Sequence, residues 1–228
     1  MGEVLIQAQD ICKSYRTGRE SVRVLHGLSL ELRRGEAVAV VGPSGAGKST
    51  LLNLLNGLLQ ADSGQLQLFG RDTAWLDDNG WSEWRRTRIA TLFQEGNLIP
   101  TLTVARNLAF RCALAGRETN GEQKLLEALD IDATADRYPD QLSGGQRQRA
   151  ALACAFAMQP ALMLADEPTG SLDENTARRV MPLFFDAVRE RDLGALIVTH
   201  NTELARRCDR MLELRDGVLR PWDSVTSS

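Results

Sequence analysis

Hydrophobic and polar residues alternate in several short runs within the first seventy residues of the chain. Alternation of this kind is typical of strands that bury one face. The runs cover residues 22–25, 28–32 and 65–69, and residues 3–11 also have the composition of a strand. Together they predict a partly antiparallel sheet at the front of the molecule.

Three further runs consist of hydrophobic residues almost without interruption. They cover residues 37–41, 161–165 and 195–199, and a fourth strand is predicted at 89–93. Parallel strands covered on both faces have this pattern, because no position along them faces water. The runs therefore predict a parallel sheet, which is the core of an α/β domain.

Helical spacing dominates the middle of the chain. Helices are predicted at residues 103–114, at 122–129 and from Ser143 onward, with a polar loop at 130–141. A helix is also predicted after Asp173, where Pro182 should bend or break it because proline lacks the N–H that a helix needs.

The order of these elements predicts the domain organisation. A block of helices placed between strands resembles an inserted lobe. We expect a single domain over residues 1–228, with a helical subdomain at 95–158. Residues 1–94 and 159–228 are expected to form the core and the antiparallel β subdomain.

Three of the four tryptophans lie between residues 71 and 88, among arginines and acidic residues. Aromatic and basic residues together can form a nucleic-acid surface, but the acidic residues in the same segment oppose that interpretation. We favour a short amphipathic helix whose rings pack into the protein. The residues concerned are Trp75, Trp81 and Trp84.

Charge and cysteine content narrow the function. The formal net charge is −3, so no basic field indicates a nucleic-acid partner. The four cysteines are scattered, which is typical of reduced thiols in a cytosolic protein. The longest apolar run is too short to span a bilayer, and no secretory signal is recognised at the N-terminus. We therefore expect a soluble protein whose membrane role, if any, comes through a partner.

The first apolar strand leads directly into a phosphate-binding loop. Gly42, Gly47, Lys48 and Ser49 occupy the fixed positions of the pattern G-x-x-x-x-G-K-[ST]. Glycines let backbone N–H groups converge on phosphate oxygens at a helix N-terminus. An incidental glycine-rich turn is the alternative, but the strand before it and the helix after it disfavour that explanation. The predicted nucleotide-binding positions are Gly42, Pro43, Ser44, Gly45, Ala46, Gly47, Lys48, Ser49 and Thr50.

The side chains of this loop have separate predicted tasks. Lys48 is expected to reach the β- and γ-phosphates of a nucleoside triphosphate, and the Ser49 hydroxyl is expected to bind Mg²⁺. Two acids, Asp166 and Glu167, follow the second apolar strand, at the edge of an α/β sheet where ligands bind. Asp166 would hold the water shell of Mg²⁺, and Glu167 would orient and deprotonate the attacking water. His200 ends the next strand and can contact a γ-phosphate.

The helix that begins near Ser143 has an unusual first turn. Ser143 is a good N-cap, but Gly144 and Gly145 follow it, and two glycines there are costly to helix stability. Such a cost favours a role for bare backbone N–H groups that face an anion. A plain serine cap after a loop is the alternative.

The role of Tyr15 is also left open by the residues themselves, because a lone aromatic residue is ordinarily a packing residue.

These motifs, in this order, resemble those of an ABC-type ATPase over essentially the whole chain. The residues on which this resemblance rests are Tyr15, the loop at 42–49, Gln94, the segment Leu142 to Gln146, Asp166, Glu167, the segment Ser171 to Asp173, and His200. The resemblance implies an α/β P-loop NTPase core with an antiparallel β subdomain and an inserted α-helical subdomain. It also implies ATP and Mg²⁺ as ligands and a homodimer that shares its sites.

The resemblance implies roles for individual residues. Tyr15 would stack on adenine, and Gln94 would bind Mg²⁺ and sense a membrane partner. Asp173 would lie at the dimer interface, Glu167 would be the general base, and His200 would be the switch residue. The residues expected to grip the γ-phosphate held by the other protomer are Ser143, Gly144, Gly145 and Gln146.

Within the family, the chain most resembles the subgroup that serves lipoprotein release, macrolide and peptide export, and cell division. Two positions depart from that subgroup. Cys154 stands where arginine is common, and Asn201 follows the switch histidine where aspartate is usual. The first departure bears on how the helix after Ser143 is anchored, and the second bears on the support for His200.

The predicted function is ATP binding and hydrolysis that drives a membrane transporter. The resemblance implies a peripheral subunit on the cytoplasmic face of the bacterial inner membrane, bound to an integral membrane permease. Export of lipoprotein, peptide or drug-like substrates is expected. The alternative is an ABC-type ATPase that moves no solute, such as a cell-division transmitter or a soluble assembly factor. The sequence leaves both functions open, because the partner protein decides between them.

Overall fold

The computed structural model describes residues 2–18, 20–94, 97–118, 121–170 and 172–222. Ten strands and seven α-helices lie in these ranges. The strands are β1 (Val4–Thr17), β2 (Glu20–Arg33), β3 (Ala37–Val41), β4 (Ser63–Leu68), β5 (Arg71–Asp72), β6 (Ile89–Leu92), β7 (Leu162–Asp166), β8 (Gly194–Val198), β9 (Arg210–Arg215) and β10 (Val218–Pro221). The helices are α1 (Lys48–Leu55), α2 (Asp78–Thr87), α3 (Val104–Leu114), α4 (Glu122–Ala128), α5 (Gly144–Ala157), α6 (Glu174–Glu190) and α7 (Thr202–Ala205).

The strands form two sheets. The first is antiparallel, with the order β2-β1-β4-β5. The second has the order β10-β9-β3-β8-β7-β6. Its adjacent strands run parallel to each other, except in the antiparallel β9–β10 hairpin. Both sheets were predicted from the hydrophobic pattern. The mixed α/β class with an antiparallel sheet is therefore confirmed.

Alternate residues of the central strands enter different hydrophobic clusters. On β8, Leu196 and Val198 face the antiparallel sheet and α1, whereas Ala195 and Ile197 face α3, α5 and α6. Both faces of these strands are thus covered, which explains why their sequences are apolar throughout. The arrangement fixes the carboxyl ends of β3, β6, β7 and β8 along one edge of the sheet.

Helices α3, α4 and α5 lie between β6 and β7 in the chain and pack on one another. Most of their buried hydrophobic residues belong to the same cluster as those of α6 and as one set of alternate residues of β7 and β8. The polar segment before α5 contains single 3₁₀ turns at Asp132–Thr134 and Pro139–Gln141. The division of the chain at residues 95 and 158 stays a prediction.

Some element predictions differ from the structure. The first strand does not end at residue 11 but continues to Thr17, and residues 22–25 and 28–32 belong to one strand, β2. Helix α6 continues through Pro182 without a break. In the turn between β9 and β10, Asp216 and Gly217 both have positive φ, with values of 50° and 73°.

The aromatic segment at 71–88 contains the predicted amphipathic helix, α2, but not all of its rings are buried. Trp81 and Trp84 are buried, and their ring centroids lie 5.6 Å apart in an edge-on arrangement. Trp75 lies before the helix in a 3₁₀ turn and is 88% exposed. The packing prediction is therefore right for two tryptophans and wrong for Trp75.

Candidate nucleotide-binding site

The loop between β3 and α1 is shaped by close backbone approaches. A Cβ atom at Gly42 would lie 2.3 Å from the carbonyl oxygen of Leu214, and one at Gly47 would lie 2.8 Å from Cγ1 of Val24. Gly47 also has a φ of 101°, which side chains disfavour. Both positions therefore require glycine for the loop to keep this path.

The N-terminus of α1 is left open to an anion. Its N-cap residue, Gly47, provides no side-chain hydrogen bond, and the first turn contains no acidic residue. Nζ of Lys48 donates 2.8 Å hydrogen bonds to the carbonyl oxygens of Gly42 and Pro43. Uncapped N–H groups, the helix dipole and a lysine ammonium together favour a phosphate group at this place.

A cleft of about 510 Å³ opens beside this helix terminus. Residues of the phosphate loop line it together with Gln94, Asp166, Glu167 and His200. These four follow or end β6, β7 and β8, so the cleft lies at the carboxyl ends of parallel strands, the usual ligand edge of an α/β sheet. The structure thus brings together residues that are separated by more than one hundred positions in the sequence.

Ser49 and Asp166 meet at one side of the cleft. Oγ of Ser49 donates to Oδ2 of Asp166 at 3.4 Å. Burial and, to a lesser degree, the negative charge of Glu167 raise the pKa of Asp166 above its usual value. A bound cation would offset the repulsion between the Asp166 and Glu167 carboxylates. The hydroxyl, carboxylate and amide oxygens of Ser49, Asp166 and Gln94 are the donor type that Mg²⁺ prefers, so the residues fit this ion.

The Glu167 carboxylate is held by three hydrogen bonds. Its Oε1 accepts from the backbone N–H of His200 at 2.8 Å and lies 2.6 Å from Nδ1 of the same residue. Its Oε2 accepts from Oγ1 of Thr199 at 2.8 Å. Because an ionised carboxylate only accepts, Nδ1 of His200 carries the proton in this contact.

Thr199 was not singled out by sequence reasoning. It lies directly before His200 at the end of an apolar strand, where its hydroxyl has no evident use from sequence alone. The one signal available was a polar residue in the last position of an otherwise hydrophobic run.

Tyr15 lies at the phosphate-loop helix. Its phenol oxygen is 3.2 Å from Oγ1 of Thr50, and the residue is 38% exposed. An exposed part of the ring beside this helix is compatible with the predicted stacking on a base.

In the described part of the chain, the residues that line the cleft do not include the segment Ser143 to Gln146. Ser143 Oγ accepts from the N–H of Gln146 at 3.2 Å, and Gln146 Oε1 accepts from the N–H of Ser143 at 2.9 Å. This capping box leaves Gly144 and Gly145 in the first turn of α5. The serine cap that sequence offered as an alternative is therefore present, together with the two glycines.

Asp173 is also a helix cap in this structure. It accepts from the N–H and the hydroxyl of Thr176, at 3.0 and 2.6 Å, and these bonds lower its pKa. Asp173 does not contribute to the described lining of the cleft. Its neighbour Ser171, and Glu95 and Gly96 after Gln94, lie outside the described residues.

The two unusual positions have plain structural roles. Oδ1 of Asn201 accepts from the N–H of Leu204 at 3.1 Å and caps α7. Cys154 is buried in the hydrophobic cluster under α5, and burial raises the pKa of its thiol to about 12. Cys154 therefore anchors α5 by packing.

Comparison with known proteins identifies the relatives of this chain. A family model described as "ABC transporter" matches residues 25–170. The chain is 41% identical over 217 residues to the macrolide export ATP-binding/permease protein MacB of Shigella flexneri. This match covers 93% of the chain but only 33% of MacB. It is 39% identical over 222 residues to the uncharacterised ABC transporter ATP-binding protein YbbA of Escherichia coli K12, with 96% and 97% of the two chains covered.

Solved structures give the same result. A dimeric structure of MJ0796, a bacterial ABC transporter cassette, matches with a TM-score of 0.87 and 36% identity, covering 95% of this chain and 97% of the other. A dimeric post-hydrolysis state of the same cassette, bound to ADP and Pi, matches with a TM-score of 0.88 and 34% identity, covering 98% and 100%. The predicted fold and the predicted ATPase class are confirmed.

Proposed function

The chain belongs to the ABC transporter family, and from that premise we propose that it is the ATP-binding and hydrolysing subunit of a membrane transporter. The chain spans a third of the length of MacB, so the export activity of that protein is a proposal here. The observation that carries the proposal is the cleft, which collects a phosphate loop, two strand-end carboxylates, a glutamine and a histidine.

The phosphate end of ATP is bound by the start of α1. The open N-terminus of this helix and the Lys48 ammonium neutralise the phosphate charge, while Ser49, Gln94 and Asp166 hold Mg²⁺. The ion, when bound, neutralises charge that develops on the phosphates. No group of three or more His, Cys, Asp or Glu side chains in the described residues could hold a metal.

Glu167 accepts a proton from the attacking water. Its side chain is 13% exposed, and its three hydrogen bonds restrict the directions in which the carboxylate can turn. The His200 side chain is 78% exposed, so its ring can reach a phosphate. To donate to that phosphate, the ring either carries a second proton at Nε2 or turns its Nδ1–H away from Glu167.

A second copy of the chain completes each site. The described cleft has no contribution from α5, yet α5 begins with two glycines whose backbone N–H groups are suited to an anion. In a head-to-tail pair, Ser143 to Gln146 of one protomer would close over the γ-phosphate held by the other. Asp173 would lie at that interface.

The site is linked to α5 within one protomer. Nε2 of Gln148, a residue almost fully buried in α5, donates to the carbonyl oxygen of Pro168 at 3.0 Å. Pro168 directly follows Glu167. A movement of α5 against the partner's nucleotide would therefore act on the turn that carries the general base.

The membrane part of the proposal follows from the relatives. None of the helices within the described ranges has the length and hydropathy needed to cross a bilayer. We place the chain at the cytoplasmic face of the membrane, bound to an integral membrane permease that exports a drug-like, peptide or lipoprotein substrate. Two relatives support this proposal, since MacB is named a macrolide export ATP-binding/permease protein and YbbA is named an ABC transporter ATP-binding protein.

Phosphate release at increasing protein concentration tests the shared site. Activity per protomer should rise with concentration and then level off, because only dimers contain complete sites. Lys48→Ala is the control and should be inactive at every concentration. Activity per protomer that is constant down to nanomolar protein would contradict the proposal.

Co-purification tests the membrane role. The chain, extracted with detergent from its own cells, should carry an integral membrane subunit. Reconstitution of that pair into vesicles should then move an export substrate across the bilayer in the presence of ATP. A pair that hydrolyses ATP and moves none of the candidate substrate classes would favour the force-transmitting alternative.

A further inference from the structure

Thr199 occupies a fully buried position at the edge of the catalytic cleft, with 0% exposure. Its backbone N–H donates to the carbonyl oxygen of Val40 at 3.2 Å. Val40 belongs to β3, the strand that leads into the phosphate loop. The hydroxyl of Thr199 is thus fixed relative to the nucleotide-binding end of the sheet.

The hydrogen bonds of this hydroxyl have a defined direction. The backbone N–H of Asn201 donates to Oγ1 of Thr199 at 3.0 Å, and a backbone N–H can only donate. The hydroxyl proton is therefore left for Oε2 of Glu167, at 2.8 Å. An ionised carboxylate can only accept, so the two bonds form one chain from Asn201 through Thr199 to Glu167.

Glu167 needs this support because its backbone is strained. Its φ of 49° lies in the left-handed region, which residues with a side chain disfavour. Such conformations persist where the surroundings over-determine them, and they concentrate at functional sites. Oε1 is held by His200, and Thr199 is the partner that the structure gives to Oε2.

We propose that Thr199 is a positioning residue for ATP hydrolysis, whose hydroxyl fixes the face that Glu167 presents to the attacking water. The inference rests on the proposed function, because it assigns Glu167 as the base. Thr199 is fully buried, so its hydroxyl acts through Glu167. It acts by limiting rotation of the carboxylate about its last side-chain bond, while His200 is free to exchange its contact for one with the phosphate.

The test is a pair of substitutions with matched shapes. Thr199→Val keeps the volume and removes the hydroxyl, and Thr199→Ser keeps the hydroxyl and removes a methyl group. For Thr199→Val, kcat should fall about tenfold, the equivalent of one hydrogen bond to a charged group, with KM for ATP within about twofold of wild type. Thr199→Ser should recover most of the rate. Melting temperatures with and without ATP check that both variants are folded.

A double-mutant cycle with Glu167→Gln distinguishes positioning from simple packing. If Thr199 acts through Glu167, then Thr199→Val should change the single-turnover rate less than about twofold in the Glu167→Gln background. Additive losses in the cycle, or equal losses in Thr199→Val and Thr199→Ser, would overturn the inference. So would wild-type kcat in Thr199→Val. A wild-type protein that releases no phosphate would instead refute the proposed function.

Discussion

The phenol oxygen of Tyr15 lies 3.2 Å from the hydroxyl oxygen of Thr50, in the first turn of the phosphate-loop helix. This contact joins β1 of the antiparallel sheet to the helix that is expected to hold the phosphates. The ring is thereby fixed beside the cleft, while 38% of the residue is exposed. A base bound next to the phosphates could stack on that exposed part.

Substitution of Tyr15 separates stacking from the hydrogen bond. Tyr15→Ala should lose about 1–3 kcal/mol of ATP binding, by analogy with the stacking of bases on aromatic side chains. Tyr15→Phe keeps the ring and removes the contact with Thr50, so it should keep most of the affinity, as should Tyr15→Trp. Titration with a fluorescent ATP analogue measures these affinities. Equal affinity of Tyr15→Ala and wild type would return Tyr15 to a packing role.

The sequence was most informative where both faces of an element are covered. The runs at β7 and β8 are apolar throughout because each strand is packed on two sides, and their terminal acids and histidine consequently stood out. The phosphate loop was equally clear, since its glycines, lysine and serine stand at the fixed spacings of the pattern within residues 42–49. These features are local, so a single sequence reveals them.

Features that depend on distant contacts were not visible. The end of β1 could not be predicted, because its outer half is partly exposed and has no hydrophobic alternation. The part played by Thr199 depends on a strand-end contact with Glu167, which is 32 positions away. Trp75 was expected to pack like Trp81 and Trp84, but it lies before α2 rather than on its buried face.

The cysteines should differ strongly in reactivity. Hydrogen bonds from Ser63 and from the Arg23 guanidinium lower the pKa of Cys12, and Nη2 of Arg23 lies 2.6 Å from the sulfur. Burial raises the pKa of Cys154 and of Cys208 to about 12. Because the thiolate is the reactive form, Cys12 should react with iodoacetamide first in the folded protein.

The pH dependence follows from the direction of the shift. A lowered pKa means that the Cys12 thiolate is populated at a lower pH than an ordinary thiol, so its labelling rate should level off at a lower pH. Peptide mass spectrometry of the labelled protein measures this. Arg23→Gln should slow the reaction at neutral pH, and Cys12→Ser should abolish the fast phase. A fast phase at Cys154 or Cys208 in folded protein would show that the predicted order is wrong.

Substitutions of Lys48 and Glu167 should separate ATP binding from hydrolysis. Lys48 belongs to the phosphate-binding loop, whereas Glu167 is proposed to act only on water. Lys48→Ala should therefore weaken ATP binding and abolish hydrolysis. Glu167→Gln keeps the shape of the side chain and removes the base, so ATP should still bind while the rate falls by roughly 100- to 10,000-fold.

Unhydrolysed ATP should then hold two protomers together, because α5 of each is proposed to close over the nucleotide of the other. Glu167→Gln should elute from size exclusion as a dimer with Mg-ATP and as a monomer without it. Lys48→Ala and the double variant should remain monomeric in both conditions, since neither retains ATP. If Glu167→Gln stays monomeric at saturating ATP and hydrolyses at the wild-type rate, then neither the base assignment nor the shared site is correct.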